Sequence, residues 1–399
     1  MDDVAVIGAG IIGTCIAYTL RKRGARVVLI DDGLPGSGCS YGNLGAISMS
    51  SVVPLATAGT LRKLPTILWN SESPLFLPWH YLPRAMPWLL RFASSARSDR
   101  VEASARQLAS LHRGAVEAHE ALAREVGVPE LILRKGQLHL YVNHQAYAKD
   151  AAAWKLREQF GVIFEQLSRS DILALEPNIN SRYQHGVLLP DDATILNPSR
   201  YVQAICNAFC MRGGVLCRQR VHAIWPLPQG GWRVNTGASD ARYSHVIVAA
   251  GAWSDRLLAS AGIRASLQSQ RGYHAQFDGK AELLSRSVVL TDKKIFLSPM
   301  EQGLRAGGTV EIASLDDAPN SRRALAIERA VRQNVSGLEG CAATHWMGHR
   351  PCMPNSVPKI GRVSGRPGLW QAIGHGHLGM TDSVNTAGRI ADELMAELA

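Results

Sequence analysis

The chain opens on a short apolar run, Val4-Ala5-Val6-Ile7, which ends in Gly8-Ala9-Gly10-Ile11-Ile12-Gly13. Such a run suits one buried strand. A helix is predicted after it, from about Ile11 to Arg23, with Ile12, Ile16 and Leu20 on one face and Gly24 as its stop. Arg26–Ile30 reads as the next strand, and Asp31 closes it 18 residues after Gly13. Strand, glycine turn, helix, strand and terminal acid together form one βαβ unit, and few folds begin this way. Gly8 permits the tight turn, Gly10 lets the backbone approach a pyrophosphate, and Gly13 lets the helix pack close to the strand. The amides of Ile11 and Ile12 at the helix start are placed to hold phosphate. Asp31 is expected to accept hydrogen bonds from a ribose hydroxyl. Asp31 and Asp32 together would repel a 2′-phosphate, so a dinucleotide lacking that group is expected.

At 399 residues the chain is too long for one simple core, and two domains are expected. The net charge of +10 is spread along the sequence, and no basic run is interleaved with aromatics, so nucleic acid is not an expected partner. The seven cysteines, Cys15, Cys39, Cys206, Cys210, Cys217, Cys341 and Cys352, include no CxxC pair. This argues against a structural metal and against a disulfide framework, and a reducing compartment fits best. With a globular motif starting at Val4 and no apolar run of about 20 residues, a cytoplasmic protein is expected, free of a signal peptide or spanning helix.

Further along, residues 33–48 read as a glycine- and serine-rich loop. Residues 52–95 carry Trp69, Phe76, Trp79, Tyr81, Trp88 and Phe92, with six prolines between 54 and 87. One long helix is predicted from Ser98 to Val126 and a strand over Arg134–Val142. Asn197-Pro198 marks a helix start, with Asn197 as its cap. Strand-like segments follow at Val215–Ile224, Gly231–Thr236 and Ser244–Ala250, and the last runs into Gly251-Ala252-Trp253. Residues 265–315 alternate between short strands and turns. Arg322–Val335 reads as a helix, Leu369–Ile373 as a strand, and a final helix is predicted from about Thr386.

Three glycine-rich elements thus lie far apart: the opening one, Ala250-Gly251-Ala252-Trp253, and Gly374-His375-Gly376-His377-Leu378-Gly379-Met380-Thr381. A cofactor extended across a domain explains all three, which favours FAD; an NAD enzyme would normally complete its nucleotide site in the first half of the chain. The opening motif resembles the FAD-dependent D-amino-acid oxidase superfamily. So does Cys39-Ser40-Tyr41-Gly42-Asn43-Leu44-Gly45-Ala46-Ile47-Ser48, and so do Gly272-Tyr273, Gly348-His349-Arg350-Pro351 and Pro354–Gly361, in the family's order. Within it, the chain is most similar to the small-subunit type of bacterial D-amino-acid dehydrogenase and to hydroxyproline dehydrogenases. The resemblance implies an α/β fold. A Rossmann-type, glutathione-reductase-like FAD domain would be drawn from 1–55, 190–262 and 345–399. A discontinuous substrate domain built on an antiparallel sheet would take 56–189 and 263–344. It also implies that the loop containing Ser40, Gly42, Asn43, Gly45, Ala46 and Ile47 wraps the pyrophosphate and flavin. Val221 would offer its backbone to the adenine, and Gly376–Met380 would lie beside the isoalloxazine. A glycine loop before a helix can present amides to the flavin C2 carbonyl and so stabilise the negative charge of reduced flavin.

An α-amino acid needs its carboxylate held and its α-hydrogen aimed at flavin N5. An arginine fork suits the carboxylate. Arg350, in a Gly-x-Arg-Pro context, is the expected clamp, with Arg271 as the competing cation. Tyr273 is an expected hydroxyl donor to the same carboxylate, and His377 an expected substrate contact. Two departures from the family leave the amino acid open: Pro354-Asn355 stands where relatives have Pro-Asp, and the loop at Ser48–Ser51 is undiagnostic. Cys352, two residues before Pro354, does not match the relatives that attach flavin to cysteine. The aromatic segment 65–92 reads either as a cover over the site or as a peripheral patch on the inner face of a membrane, where a quinone would collect electrons. A dehydrogenase that passes electrons to a quinone or other acceptor is expected. The rival readings are a catalytic or electron-transfer subunit of a hetero-oligomeric opine or hydroxyproline dehydrogenase, and an NAD-dependent dehydrogenase.

Overall fold

A computed structural model of the chain describes residues 3–62, 75–237 and 240–398. The opening strand is Asp3–Ile7, the helix after it Ile11–Lys22, and the second strand Arg26–Ile30. All four residues Val4–Ile7 are buried, as a central strand covered on both faces requires. The sheet order is Val215–Cys217, Arg26–Ile30, Asp3–Ile7, His245–Val248, Leu369–Ile373, Lys359–Arg362. The first five strands run parallel and the last antiparallel.

Two layers cover this sheet. On one face, Ile16 and Leu20 of the first helix pack with Ile205 and Phe209 of the helix Pro198–Met211 and with Ile390 and Leu394 of the last helix, Gly379–Leu398. Each such fully buried aliphatic side chain contributes roughly 1.5–3 kcal/mol of burial. On the other face, Leu257 and Leu258 pack with Trp232 and Val234 of a three-stranded antiparallel meander formed by Ala223–Pro226, Trp232–Asn235 and Asp240–Tyr243.

A second, larger sheet is mostly antiparallel. Its order is Thr344–Cys352, Gln268–Asp278, Gly303–Ile312, Ile295–Met300, Ser287–Leu290, Gln137–Tyr141, His185–Leu189, Glu165–Leu167, with Leu75–Phe76 alongside Gly303–Ile312. The helix Ser321–Asn334 closes one face of it through Ile327 and Val331. Strand Thr344–Cys352 is its edge, paired along its length with Gln268–Asp278, so the stretch from 345 that the sequence assigns to the cofactor half begins inside this sheet.

Other local expectations need correcting. The helix expected over 98–126 is two helices, Ser98–His112 and Ala115–Glu125, because Gly114 takes φ +67° between them. Val215–Ile224 is not one strand: Val215–Cys217 joins the parallel sheet and Ala223–Pro226 the meander. The last helix starts at Gly379, seven residues before Thr386, which puts the glycine loop directly on its N-terminus. In the aromatic segment, Leu82–Ser95 is a helix that buries Trp88 and Phe92, while Trp69 lies outside the described residues.

Candidate active site

The first glycine turn sits at the carboxyl ends of the central strands, the usual ligand edge of such a sheet. Gly8 has φ +110°, and a Cβ there would come within 2.4 Å of the Ala249 carbonyl oxygen, so only glycine fits between strand Asp3–Ile7 and its neighbour His245–Val248. A Cβ on Gly13 would lie 1.8 Å from the Gly8 oxygen, which is how closely the helix rides on the turn. The N-cap residue of that helix, Gly10, has no side chain to cap it, and no acid stands in its first turn. Its amides and positive end therefore face the loop, a cradle suited to a pyrophosphate. Ser40 Oγ accepts from Ile11 N at 3.0 Å. Asp31 accepts from Ala9 N at 2.6 Å and Gly33 N at 2.8 Å, so it fixes the turn as well as facing its edge. Burial raises the Asp31 pKa, and these two amides oppose the rise. Asp32 points outward to Arg220 at 3.3 Å. Val221 is half-buried against the core beneath the meander.

The loop after Ser40 is held from three sides. Buried Arg305 donates through Nη1 to the carbonyls of Tyr41 (2.7 Å) and Asn43 (2.8 Å), while its Nε bonds Gln276 at 2.8 Å. His274, whose pKa burial pushes down to about 3, donates from Nδ1 to Gly42 O at 3.1 Å. Its ring stacks on Trp346 with centroids 5.1 Å apart. A Cβ on Gly42 would fall 1.9 Å from the Trp346 ring. Asn43 Oδ1 accepts from Gly45 N at 2.7 Å. Ala46–Ile47 is a short strand, and Thr381 Oγ1 of the last helix bonds both Ser48 N (3.0 Å) and Ala46 O (3.2 Å). The sequence missed Arg305, His274 and Trp346. The polar residues Gln270, His274 and Gln276 on one strand were a weak signal for His274, and Arg305 and Trp346 carried none.

The third glycine element meets the edge of the large sheet. Gly376 N donates to Pro351 O at 2.8 Å, and Cys352 bridges His375. His375 is buried on Thr386 Oγ1 at 3.0 Å. His377 is exposed, within reach of the Arg350 charge. Leu378 and Met380 are buried beneath it. Cys352 is buried, and its thiol is pushed up to about 12 by desolvation. Gly251 starts a single 3-10 turn, Gly251–Trp253, after Ala250, and Trp253 packs edge-on against His349 at 5.4 Å.

Arg350 and Arg271 part company here. Arg350 lies across Gly272, where a Cβ would meet its Nη2 at 2.3 Å, and it makes one bond, to Thr309 O at 3.2 Å. Among the described residues no carboxylate pairs with it. Arg271 is 1% exposed and is used up by the carbonyls of Ser314, Asp317 and Ala318, with Glu311 at 3.7 Å. Tyr273 is also a correction. One residue past Gly272, it lies on the opposite face of the sheet from Arg350, bonding Glu311 and accepting from Asn320 N at 3.0 Å.

The residues present fit FAD. Three glycine-lined elements, a helix N-terminus that starts on glycine with no acid in its first turn, and an acid at the second strand's end converge on one sheet edge, and no described cluster of side chains could hold a metal ion. The family described as FAD dependent oxidoreductase matches residues 3–393. A D-amino-acid oxidase of Bradyrhizobium diazoefficiens is 35% identical over 98% of this chain and 94% of its own length. D-amino acid dehydrogenase 2 of Ralstonia nicotianae is 29% identical over 98% and 96%. Glycine oxidase from Geobacillus kaustophilus superposes with a TM-score of 0.76 at 20% identity, covering 98% of this chain and 95% of that one. The rival NAD-dependent reading is thereby overturned: the protein is a flavoenzyme and belongs to the FAD dependent oxidoreductase (DAO) family.

Proposed function

We propose that the protein oxidises the Cα–N bond of a D-amino acid, or of a cyclic imino acid of the proline or hydroxyproline type, bound through its carboxylate to Arg350. The observation that carries this is the Arg350 guanidinium: enclosed and lacking a described carboxylate partner, it lies beside the loop that bears His377. A half-buried cation without an anion is costly, and a substrate carboxylate would relieve that cost. Bound FAD would supply the acceptor for the α-hydride. Gly8, Gly10, Ile11, Ile12, Gly13 and Asp31 would hold the adenosine diphosphate end, with Asp32 and Val221 at its rim. Ser40, Gly42, Asn43, Gly45, Ala46, Ile47, Ala250, Gly251 and Trp253 would line the middle, and Gly374–Thr381 the flavin. His377 would contact substrate; the surrounding protein and then the Arg350 charge push its pKa down to about 4, which favours a neutral ring. The cofactor half would comprise 1–55, 190–262 and 353–399, with 345–352 moved to the substrate half because of its pairing.

The test is anaerobic mixing of the yellow protein with a panel of D-amino acids that includes D-proline and hydroxyproline. Bleaching of the flavin by some of them is expected, and no bleaching by any α-amino or α-imino acid would sink the reading. For the acceptor, we favour a quinone reached at a membrane surface. Support comes from Trp79, 59% exposed in the 3-10 turn Trp79–Tyr81, and Leu90, 65% exposed on the helix Leu82–Ser95 that also carries Arg84 and Arg91. Among the described residues no helix is long and apolar enough to cross a membrane. Rapid hydrogen peroxide production in air would count against a quinone. Co-purification of a second, iron–sulfur-bearing chain would favour the hetero-oligomeric reading.

A further inference from the structure

The first turn of the last helix contains a buried acid that the site described above does not use. Asp382 is 0% exposed, and His112, at the end of the helix Ser98–His112, is 1% exposed. His112 Nε2 lies 3.2 Å from Asp382 Oδ1, yet the contact does not have hydrogen-bond geometry. Both carboxylate oxygens and both ring nitrogens are otherwise without hydrogen bonds. Asp382 is therefore not a cap, since no backbone N–H of its own helix is on it. The neighbouring polar groups have other partners: His119 bonds Met380 O (2.8 Å) and Tyr201 (3.0 Å), His375 bonds Thr386, and Asp192 bonds Ser50. A buried acid and imidazole with no further hydrogen bonds are a poor source of stability, so their presence calls for another explanation.

Position supplies one. Residues 379–381 open the helix, and Thr381 ties that turn to Ala46 and Ser48. A helix N-terminus carries about half a positive charge, and that field is what would stabilise negative charge on the reduced flavin. A carboxylate in the same turn opposes that field, and low-dielectric surroundings strengthen its effect. The His112 ring is the group placed to offset it. We infer that Asp382 and His112 act as a pair of positioning residues that set the reduction potential of the flavin. The carboxylate holds the potential down, and the imidazole limits how far. This rests on the flavin lying at Gly376–Met380, as proposed above.

The experiment compares the potentials of the holoenzyme, Asp382→Asn and His112→Asn, measured by dye-coupled reductive titration. Asp382→Asn keeps the shape of the side chain and should raise the potential, favouring reduced over oxidised flavin by about tenfold, which is about 30 mV for a two-electron couple. His112→Asn should lower it, and the double variant should fall between the two. Sulfite affinity gives a second readout, because the adduct it forms with oxidised flavin also places negative charge on the pyrimidine ring: Asp382→Asn should bind sulfite about tenfold more tightly. A purely structural pair would lower flavin content or melting temperature in both variants without opposite shifts in potential. Equal potentials, or shifts of the same sign, would overturn the inference. If His112→Asn does not fold, Asp382→Asn decides the matter alone, and unchanged potential and sulfite affinity would refute it. A protein that carries no flavin would instead refute the reading on which the inference rests.

Discussion

Replacing Arg350 by Ala removes one neutral-acceptor hydrogen bond, at 3.2 Å to the Thr309 carbonyl, from the free protein. A single bond from a charged donor is worth about 1.5–3 kcal/mol, so the fold and the yellow colour should survive. What the change takes from the bound state is larger. A carboxylate on a guanidinium fork makes two charge-assisted bonds of about 1.5–3 kcal/mol each, so the loss should reach about 3 kcal/mol or more. At about 1.4 kcal/mol per factor of ten, kcat/KM for a carboxylate-bearing amine should fall on the order of 100-fold. Arg350→Lys should restore only part of this, because a point charge does not reproduce the fork. Arg271→Ala is the control with the opposite profile. It uncovers three carbonyls and Glu311 in the interior and should cost about 3–5 kcal/mol of stability, seen as lost expression or a depressed melting temperature. The assay is steady-state turnover with an artificial dye, beside thermal melts and flavin content for each variant. A yellow Arg350→Ala protein that keeps kcat/KM within about threefold would refute the clamp.

Gly42→Ala should press a methyl into the Trp346 ring, cost about 1–3 kcal/mol and loosen FAD, measured by melting and cofactor retention; Trp346→Leu should relieve part of the damage. Arg305→Met should leave the Tyr41 and Asn43 carbonyls without their donor and weaken FAD binding, read by cofactor loss on dialysis, with the large sheet retained by circular dichroism. Burial holds the His119 pKa at about 4 against an ordinary 6.5, so the unfolded chain binds its proton first as pH falls. The stability associated with this ring is full above 6.5, declines through that window and is gone below about 4. His119→Gln should flatten the loss of urea stability between pH 7 and 4 by about 3 kcal/mol at most, and an unchanged slope would contradict the assignment.

The parallel half was legible because its signals are local. An apolar run, a glycine turn and an N-cap each act within a few residues, and Asn197 does accept from Arg200 N at 3.0 Å, as its cap position requires. The large sheet was not legible strand by strand. Gln268–Phe277 is buried on both faces yet carries Gln268, Gln270, Arg271, His274 and Gln276, so no alternation of apolar and polar residues remains to be read. Parity explains Tyr273: motifs place Gly272 and Tyr273 together, but neighbours on a strand face opposite ways. Arg305 and Trp346 act on a loop more than 250 positions away in sequence, and only the closed fold brings them there.

The pairing of Asp3–Ile7 with His245–Val248, and of Gly8 with Ala249, has a bearing on how the protein is made. The turn of the nucleotide motif is shaped by a strand that emerges from the ribosome some 240 residues after it, and its helix packs on Gly379–Leu398, which emerges later still. Contacts of such long range form late, because the entropy of closing the loop must be met before they contribute. The nascent chain therefore presents an unfinished nucleotide cradle for most of its synthesis. Loading of FAD should wait until Gly379–Leu398 has emerged, and the apolar first strand and helix would be the segments a chaperone needs to shield until then.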